Sequence, residues 1–355
     1  MSDDPTFYLF LLAPPLAGEA ILLFFLFRFW RDRQVKTGWK QVLLVNVLSC
    51  FVLVALAGGG GELYYRFIYD TTDALGYTKV SQQWVKRYFR NNSSGFRDNL
   101  DYPRRRTEGI RRITFLGDSF TAGHGIKSVE DRFVNLIRAR HPEWEVHLFA
   151  GFGFDTGREL YLLKKGRELG YEFDEVVLVY CLNDIGDLSQ EWNSQIEDVY
   201  ADMDRGGWLR RNSFFVDLLY HRYKAAHDPR LSQYFTFVRE CYSGPLWDIQ
   251  KARLQSIKNF VESVGGHLSV VTFPFLQLEG KNYEYRPVHT QLDQLWRGLG
   301  VPHLDLDPLF AQEPPEKIVL HRYDAHPNEY ANKLAADQIE QFLKARLSPP
   351  TDASR

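Results

Sequence analysis

The sequence reads as an α/β protein, a three-layer sandwich around a five-stranded parallel sheet, preceded by two transmembrane helices. Three observations carry this. From Arg111 onward short β-type apolar runs alternate with longer helical patterns, the signature of βαβ units that feed a parallel sheet. The first of these runs lies in Arg111 to Gly123, RRITFLGDSFTAG, and stops at a glycine, an acid and a hydroxyl. A buried strand ends in this way when its carboxyl end borders a ligand crevice. Ahead of it stand two apolar stretches of about the 20 residues that a spanning helix needs.

The first stretch, 7–30, is apolar except for Pro14, Pro15, Glu19 and Arg28, and the second, 42–61, is broken only by Asn46 and Ser49. Between them Arg28, Arg31, Arg33, Lys36 and Lys40 face one acid, Asp32. By the positive-inside rule this loop is cytoplasmic, and everything after Gly61 is extracytoplasmic, in the periplasm or on the outer face of an inner membrane. A cleaved signal peptide fits less well, because MSDDPT lacks a basic start. Glu19 has two readings, an ion or partner contact in the membrane and a carboxyl kept protonated in a packed helix pair. Two helices make no transport path, which favours the second. Residues 1–61 thus read as a membrane anchor whose partner is the lipid bilayer. Residues 62–110 read as a linker that packs on the following domain, with Tyr64, Tyr65, Phe67 and Tyr69 forming a belt at headgroup level.

In the remaining chain, strands are expected at 112–116, 145–149, 175–181, 267–273 and 303–306, with helices at 130–140, 156–169, 247–264, 288–299 and 328–347. This is a compact doubly wound, flavodoxin-like order over 111–347. The stretch 186–245 interrupts it as an insertion rich in aromatic residues, among them Trp192, Trp208, Phe214, Tyr234 and Tyr242. Most of these aromatics read as a local mini-core, with one or two left for a sugar-binding or acyl-binding wall. The tail 348–355 is expected to be disordered.

Composition narrows the chemistry. A hydrophobic content of 45% is enough for a sizeable core, and 43 basic against 45 acidic residues give no global field for nucleic acid. Cys50, Cys181 and Cys241 form no CxxC or Cys/His cluster, so neither a disulfide framework nor a metal site is expected.

Four loop segments follow strand ends or precede the last helix: Gly117-Asp118-Ser119, Gly151-Phe152-Gly153, Cys181-Leu182-Asn183-Asp184 and Asp324-Ala325-His326. The carboxyl ends of parallel strands share an edge, so all four should meet in one crevice. Ser119 is a weak nucleophile that needs a base, His326 can provide it, and Asp324 can fix the imidazole tautomer. An oxyanion would find donors in the Ser119 and Gly153 backbone N–H groups and the Asn183 amide. Asp118 and Asp184 read as supports for their loops, and Asp155 as a helix cap.

These blocks carry a resemblance. GDSFTAG, GFGFDT, NDI and DAHPN are similar to the four blocks of the SGNH hydrolases, also called the GDSL esterase family, over Ile113 to about Leu343. The segment GELYYRFIYD…GFRD…ITFLGDSFTAG resembles the membrane-anchored bacterial members. The resemblance implies a serine esterase or acyl-transfer enzyme that uses an acyl-enzyme and neither metal nor organic cofactor. Three departures stand out. The family acid lies three residues before the histidine, where this chain has Tyr323, and Asp324 lies two before, a spacing similar to that of SGNH-like acetyltransferases of exopolysaccharide assembly. Phe149 or Ala150 replaces an asparagine ahead of the second-block glycines, and Cys181 replaces the glycine before Asn183.

Rival groups are weaker: His321 and His124 lack a well-spaced acid, and Cys181 lacks a basic neighbour. The expected function is hydrolysis of acyl esters, acetyl above all, on cell-envelope glycans or lipids. The alternatives are an O-acyltransferase that receives acyl groups from a membrane acyltransferase partner, and a non-catalytic glycan-binding domain.

Overall fold

The computed structural model describes residues 5–31, 38–204, 206–280 and 282–347. The expected cytoplasmic loop residues Asp32, Arg33 and Lys36 and the expected disordered tail 348–355 lie outside them. The chain divides into two units, one of residues 1–71, 77–83 and 201–227, the other of 72–76, 84–200 and 228–355.

The second unit is built on a parallel sheet of five strands: β1 (Arg111–Gly117), β2 (Trp144–Ala150), β3 (Glu175–Cys181), β4 (His267–Phe273) and β5 (His303–Asp305), in the order β2-β1-β3-β4-β5. Every residue of β3 is buried, and β1 and β4 are buried except for their first residue. Both faces must therefore be covered, which explains why these strands read as continuous apolar runs rather than alternating ones. The helices Thr156–Glu168, Gly244–Ser263, Arg286–Gly298 and Glu329–Leu347 supply the layers. Pairing sets Gly117 opposite Ala150 on β2 and Val179 on β3. The segments after Gly117, Ala150 and Cys181 thus leave the sheet at one edge.

The last expected block is not a loop. Two short strands, β6 (Val319–His321) and β7 (Asp324–Pro327), form an antiparallel hairpin before the final helix. The sequence signal for this hairpin is faint, because β7 ends in proline and the pair spans only nine residues.

The first unit holds helices Pro5–Arg31 and Trp39–Leu63, the latter continued by a wider turn, Tyr64–Ile68. They touch at Gly18, where a Cβ would lie 2.9 Å from Val52 Cγ2. Among the described residues only the 30-residue stretch Trp39–Ile68 is long and apolar enough to cross a membrane. Helix Pro5–Arg31 covers the first expected span, and its apolar part among the described residues is Leu16–Phe25, so the described residues show one candidate span where two were expected.

The insertion 186–245 is not one body either. Its described residues form a series of helices, and residues 201–227 belong to the first unit while the flanks belong to the second. A mini-core does form in the second unit, where Trp192 stacks on Phe237 at 4.3 Å and meets Tyr234 at 5.7 Å. The linker is divided in the same way, 72–76 and 84–110 falling in the second unit.

Candidate active site

Ser119 opens a single helical turn, Ser119–Ala122, directly after β1. Asp118 caps that turn: its Oδ1 accepts the Phe120 N–H at 2.9 Å, satisfying one of the donors that a helix start leaves orphaned. Gly117 has to be a glycine, because a Cβ there would sit 2.3 Å from Thr121 Oγ1 and 3.0 Å from the Val179 carbonyl. The sharp exit from the strand thereby leaves the Ser119 side chain half-buried at the sheet edge.

His326 meets it from β7. Its Nε2 lies 2.8 Å from Ser119 Oγ, and its Nδ1 lies 2.6 Å from Asp324 Oδ1. A ring nitrogen facing a carboxylate carries the proton, so Nδ1 donates to Asp324 and Nε2 is left to accept the Ser119 hydroxyl proton. The two-residue spacing of acid and histidine follows from β7 being extended: residues i and i+2 of a strand share a face. Asp324 and His326 therefore lie on one face of β7.

Asp324 is 1% exposed and accepts four hydrogen bonds. Besides His326 Nδ1 and the His326 backbone N–H at 3.2 Å, its Oδ2 accepts Thr72 Oγ1 at 2.5 Å and faces His124 Nε2 at 3.3 Å. The same His124 nitrogen lies 3.1 Å from the Asp73 carbonyl. Between two acceptors it must carry its proton.

The charges follow from these contacts. Burial would raise Asp324, but the His326 charge and the bonds from both histidines hold it well below the usual carboxylate range. Burial would lower His326, and the charge and hydrogen bond of Asp324 outweigh this and raise it above the ordinary imidazole value. His124 goes the other way, lowered by burial and by the nearby His326. The two histidines are thus shifted in opposite directions.

The remaining blocks reach the same place. Phe152, next to Gly153, sets its ring edge-on against His124 at 4.6 Å. Gly153 has φ +68° with nothing near a Cβ, so it is glycine for its left-handed backbone. Cys181 donates its Sγ–H to Asp118 Oδ1 at 3.3 Å, which brings the third block beside Ser119. The Ser119 and Gly153 N–H groups and the half-buried Asn183 amide have no acceptor among the described residues. Asp184 is buried and holds the Cys181 backbone N–H at 3.1 Å. Burial and the neighbouring Asp118 push the Cys181 thiol well up, so it stays protonated.

Four residues escaped the sequence reading. Thr72 and Asp73, from the linker, close the shell around Asp324 and His124. Glu159 is fully buried, and neither carboxyl oxygen has a partner among the described residues. Burial, with Asp118 and Asp155 nearby, drives it far above the carboxylate range, so it is neutral. Also from the linker, buried Arg97 donates to the carbonyls of Ala122 and Gly123, at 3.2 and 2.5 Å, bracing the end of the Ser119 turn. His321 does not compete for the serine; its Nε2 lies 3.0 Å from the Thr72 carbonyl.

Among the described residues His124, Asp324 and His326 are the one His/Asp set whose donor atoms gather within 4.8 Å. Each of those atoms is already used: His326 Nε2 by Ser119, His326 Nδ1 and His124 Nε2 by Asp324.

No protein-family model matches the chain, and no curated protein matches it in sequence. Among solved structures it is similar to a lipolytic protein of the G-D-S-L family from Veillonella parvula, at 14% identity over 65% of this chain and 97% of that one, TM-score 0.41. It is similar to a lipase/acylhydrolase from Enterococcus faecalis at 17% identity over 68% and 100%, TM-score 0.40. A two-domain esterase active on acetylated mannans matches at 16% identity over 69% and 52%, TM-score 0.37.

Proposed function

We propose that the chain is a membrane-anchored serine esterase of the SGNH type that cleaves acyl esters, acetyl above all, on cell-envelope glycans or lipids. One observation carries the reading: Ser119 Oγ, His326 and Asp324 stand in hydrogen-bonded series at 2.8 and 2.6 Å. Ser119 Oγ attacks the ester carbonyl while His326 Nε2 takes its proton. The tetrahedral oxyanion is met by the N–H groups of Ser119 and Gly153 and by Asn183. Its collapse breaks the ester C–O bond, and His326 returns the proton to the departing alkoxide, leaving an acyl-serine. Water then repeats the cycle with His326 as base and releases the acid.

Asn183→Ala removes one oxyanion donor and should lower kcat by about 10²- to 10³-fold with little change in KM. Steady-state kinetics on p-nitrophenyl acetate will show this, and an equal effect on KM alone would take Asn183 out of the oxyanion hole.

The reading as a whole is tested on the full-length protein. It should hydrolyse p-nitrophenyl acetate and be labelled at Ser119 by a fluorophosphonate probe. The absence of both turnover and labelling would refute it and leave a non-catalytic binding domain. A second reading, transfer of the acyl group to a sugar hydroxyl with a membrane partner as donor, is favoured by the two-residue Asp324–His326 spacing. Acetylated glycan formed in place of free acetate would establish it.

For the anchor, chain polarity follows from the basic loop at Arg28 to Lys40. A reporter fused after Gly61 should be active only outside the cytoplasm and one fused near Lys36 only inside. The opposite pattern would reverse the topology, and activity on one side for both would exclude crossing by Trp39–Ile68.

A further inference from the structure

Residues 206–227 belong to the insertion in sequence, yet they are built onto the exit end of the apolar helix. Glu62, 1% exposed, lies in the last turn of that helix and points both oxygens at the start of helix Phe214–His227. It accepts the backbone N–H groups of Phe214 and Phe215, each at 3.1 Å, and the Ser213 hydroxyl at 2.6 Å. Arg66 donates to Glu62 at 2.8 Å and to the Asn212 carbonyl at 2.6 Å. A buried carboxylate at a helix N-terminus with this many donors is a firm joint. The Phe215 ring stacks on Tyr65, centroids 5.8 Å apart, and would lie 3.1 Å from a Cβ on Gly61. The helix 214–227 therefore begins at the level where the apolar run gives way to Tyr64, Tyr65 and Tyr69.

What the segment exposes at that level is unlike an ordinary solvated surface. Phe215, Leu219 and Tyr223 follow at intervals of four and share one stripe. It starts on the apolar helix and continues outward with Leu219 48% and Tyr223 63% exposed. The short helix before it, Trp208–Asn212, leaves Trp208 and Leu209 exposed side by side. Residues 206–227 carry four basic side chains, Arg210, Arg211, Arg222 and Lys224, against one acid. That acid, Asp217, is buried and accepts the Lys79 backbone N–H at 2.7 Å. Aromatic and aliphatic side chains flanked by arginine and lysine match a headgroup layer, where rings sit at the boundary and cations meet phosphate.

We propose that residues 206–227 form an interfacial foot that lies in the headgroup layer of an anionic phospholipid bilayer. Trp208, Leu209, Leu219 and Tyr223 enter the boundary with the acyl chains, and Arg211 and Lys224 meet lipid phosphates. The occupant is lipid because the surface continues directly from the exit of the membrane-crossing helix and its charge is positive. The proposal rests on the anchor reading above, and its test separates the two.

The full-length protein, with Cys50→Ser, carries an NBD fluorophore at Leu209→Cys, at Leu219→Cys or, within the apolar helix, at Val54→Cys. Each is placed in nanodiscs of phosphatidylcholine with and without phosphatidylglycerol. Esterase turnover confirms that every labelled protein is folded. Position 54 should be quenched best by nitroxide deep in the acyl chains. Positions 209 and 219 should show blue-shifted emission and be quenched several-fold more by nitroxide near the headgroups than by deep nitroxide, less so without phosphatidylglycerol. Water-like, unquenched emission at 209 and 219 with quenching at 54 overturns the foot and keeps the anchor. No quenching at any site overturns the anchor. Quenching that ignores phosphatidylglycerol overturns the anionic lipid assignment, and blue shift without lipid quenching assigns the surface to a protein or a second copy instead.

Discussion

Ser119→Ala will lower kcat for p-nitrophenyl acetate by about 10⁴- to 10⁶-fold, the range set by losing a nucleophile while donors and binding remain. The loss will not come from unfolding. The turn that carries Ser119 is capped by Asp118 Oδ1 on the Phe120 N–H, and its far end is braced by Arg97 on the carbonyls of Ala122 and Gly123. The serine hydroxyl bonds to His326 at 2.8 Å and only weakly to Asp118 at 3.4 Å. Removing it leaves His326 with its Asp324 bond and an unfilled Nε2. An unchanged melting temperature with activity lost is therefore the expected pair of results. Activity surviving within tenfold would mean that another group attacks the ester. Cys181, the nearest thiol, is a poor candidate, since burial and Asp118 keep it protonated.

The sheet was legible because its strands are buried on both faces, and burial of that kind writes itself as apolar runs bounded by glycine or polar residues. The four blocks were legible for a related reason: chemistry at a strand's carboxyl end needs glycine, a hydroxyl, an amide or an imidazole where a buried run stops. Thr72 and His124 were not legible. Thr72 stands 252 positions from the Asp324 it bonds, and nothing local in ThrThrAsp marks a hydroxyl meant for a carboxylate. His124 follows the Ser119 turn closely, but its acid lies on β7, so no spacing could pair them. The hairpin of β6 and β7 has too few residues for alternation to show. In the sequence Glu62 merely opens the stretch read as a linker, and only the fold reveals that it is buried on the start of helix Phe214–His227. Local pattern reads elements and motifs well; it is blind to polar groups whose partners arrive from distant segments.

Asp324→Asn tests the relay more sharply than loss of the serine, because it keeps shape and changes only charge and one donor. Three side-chain donors converge on the carboxylate, His326 Nδ1–H, Thr72 Oγ–H and His124 Nε2–H. An asparagine has one oxygen to offer them. If its oxygen turns to His326, its NH₂ confronts Thr72 and His124; if its NH₂ turns to His326, the imidazole must move its proton to Nε2 and can no longer accept from Ser119. The second arrangement relieves the clash of donors, so kcat should fall by about 10⁴-fold, on the order of 5 kcal/mol in the barrier. The pH profile adds a sign. His326 works as a base only when neutral, and in the native site Asp324 raises its pKa above the ordinary value against the opposing effect of burial. The acidic limb of kcat/KM should therefore lie above the usual imidazole range, activity rising as pH climbs through it. Without that carboxylate burial is opposed only by the smaller effects of Asp118 and Asp73, and the limb of the residual activity should move to lower pH. A loss of a few-fold with an unmoved limb would show that Asp324 neither charges nor orients His326, and would leave a Ser119–His326 dyad as the working pair.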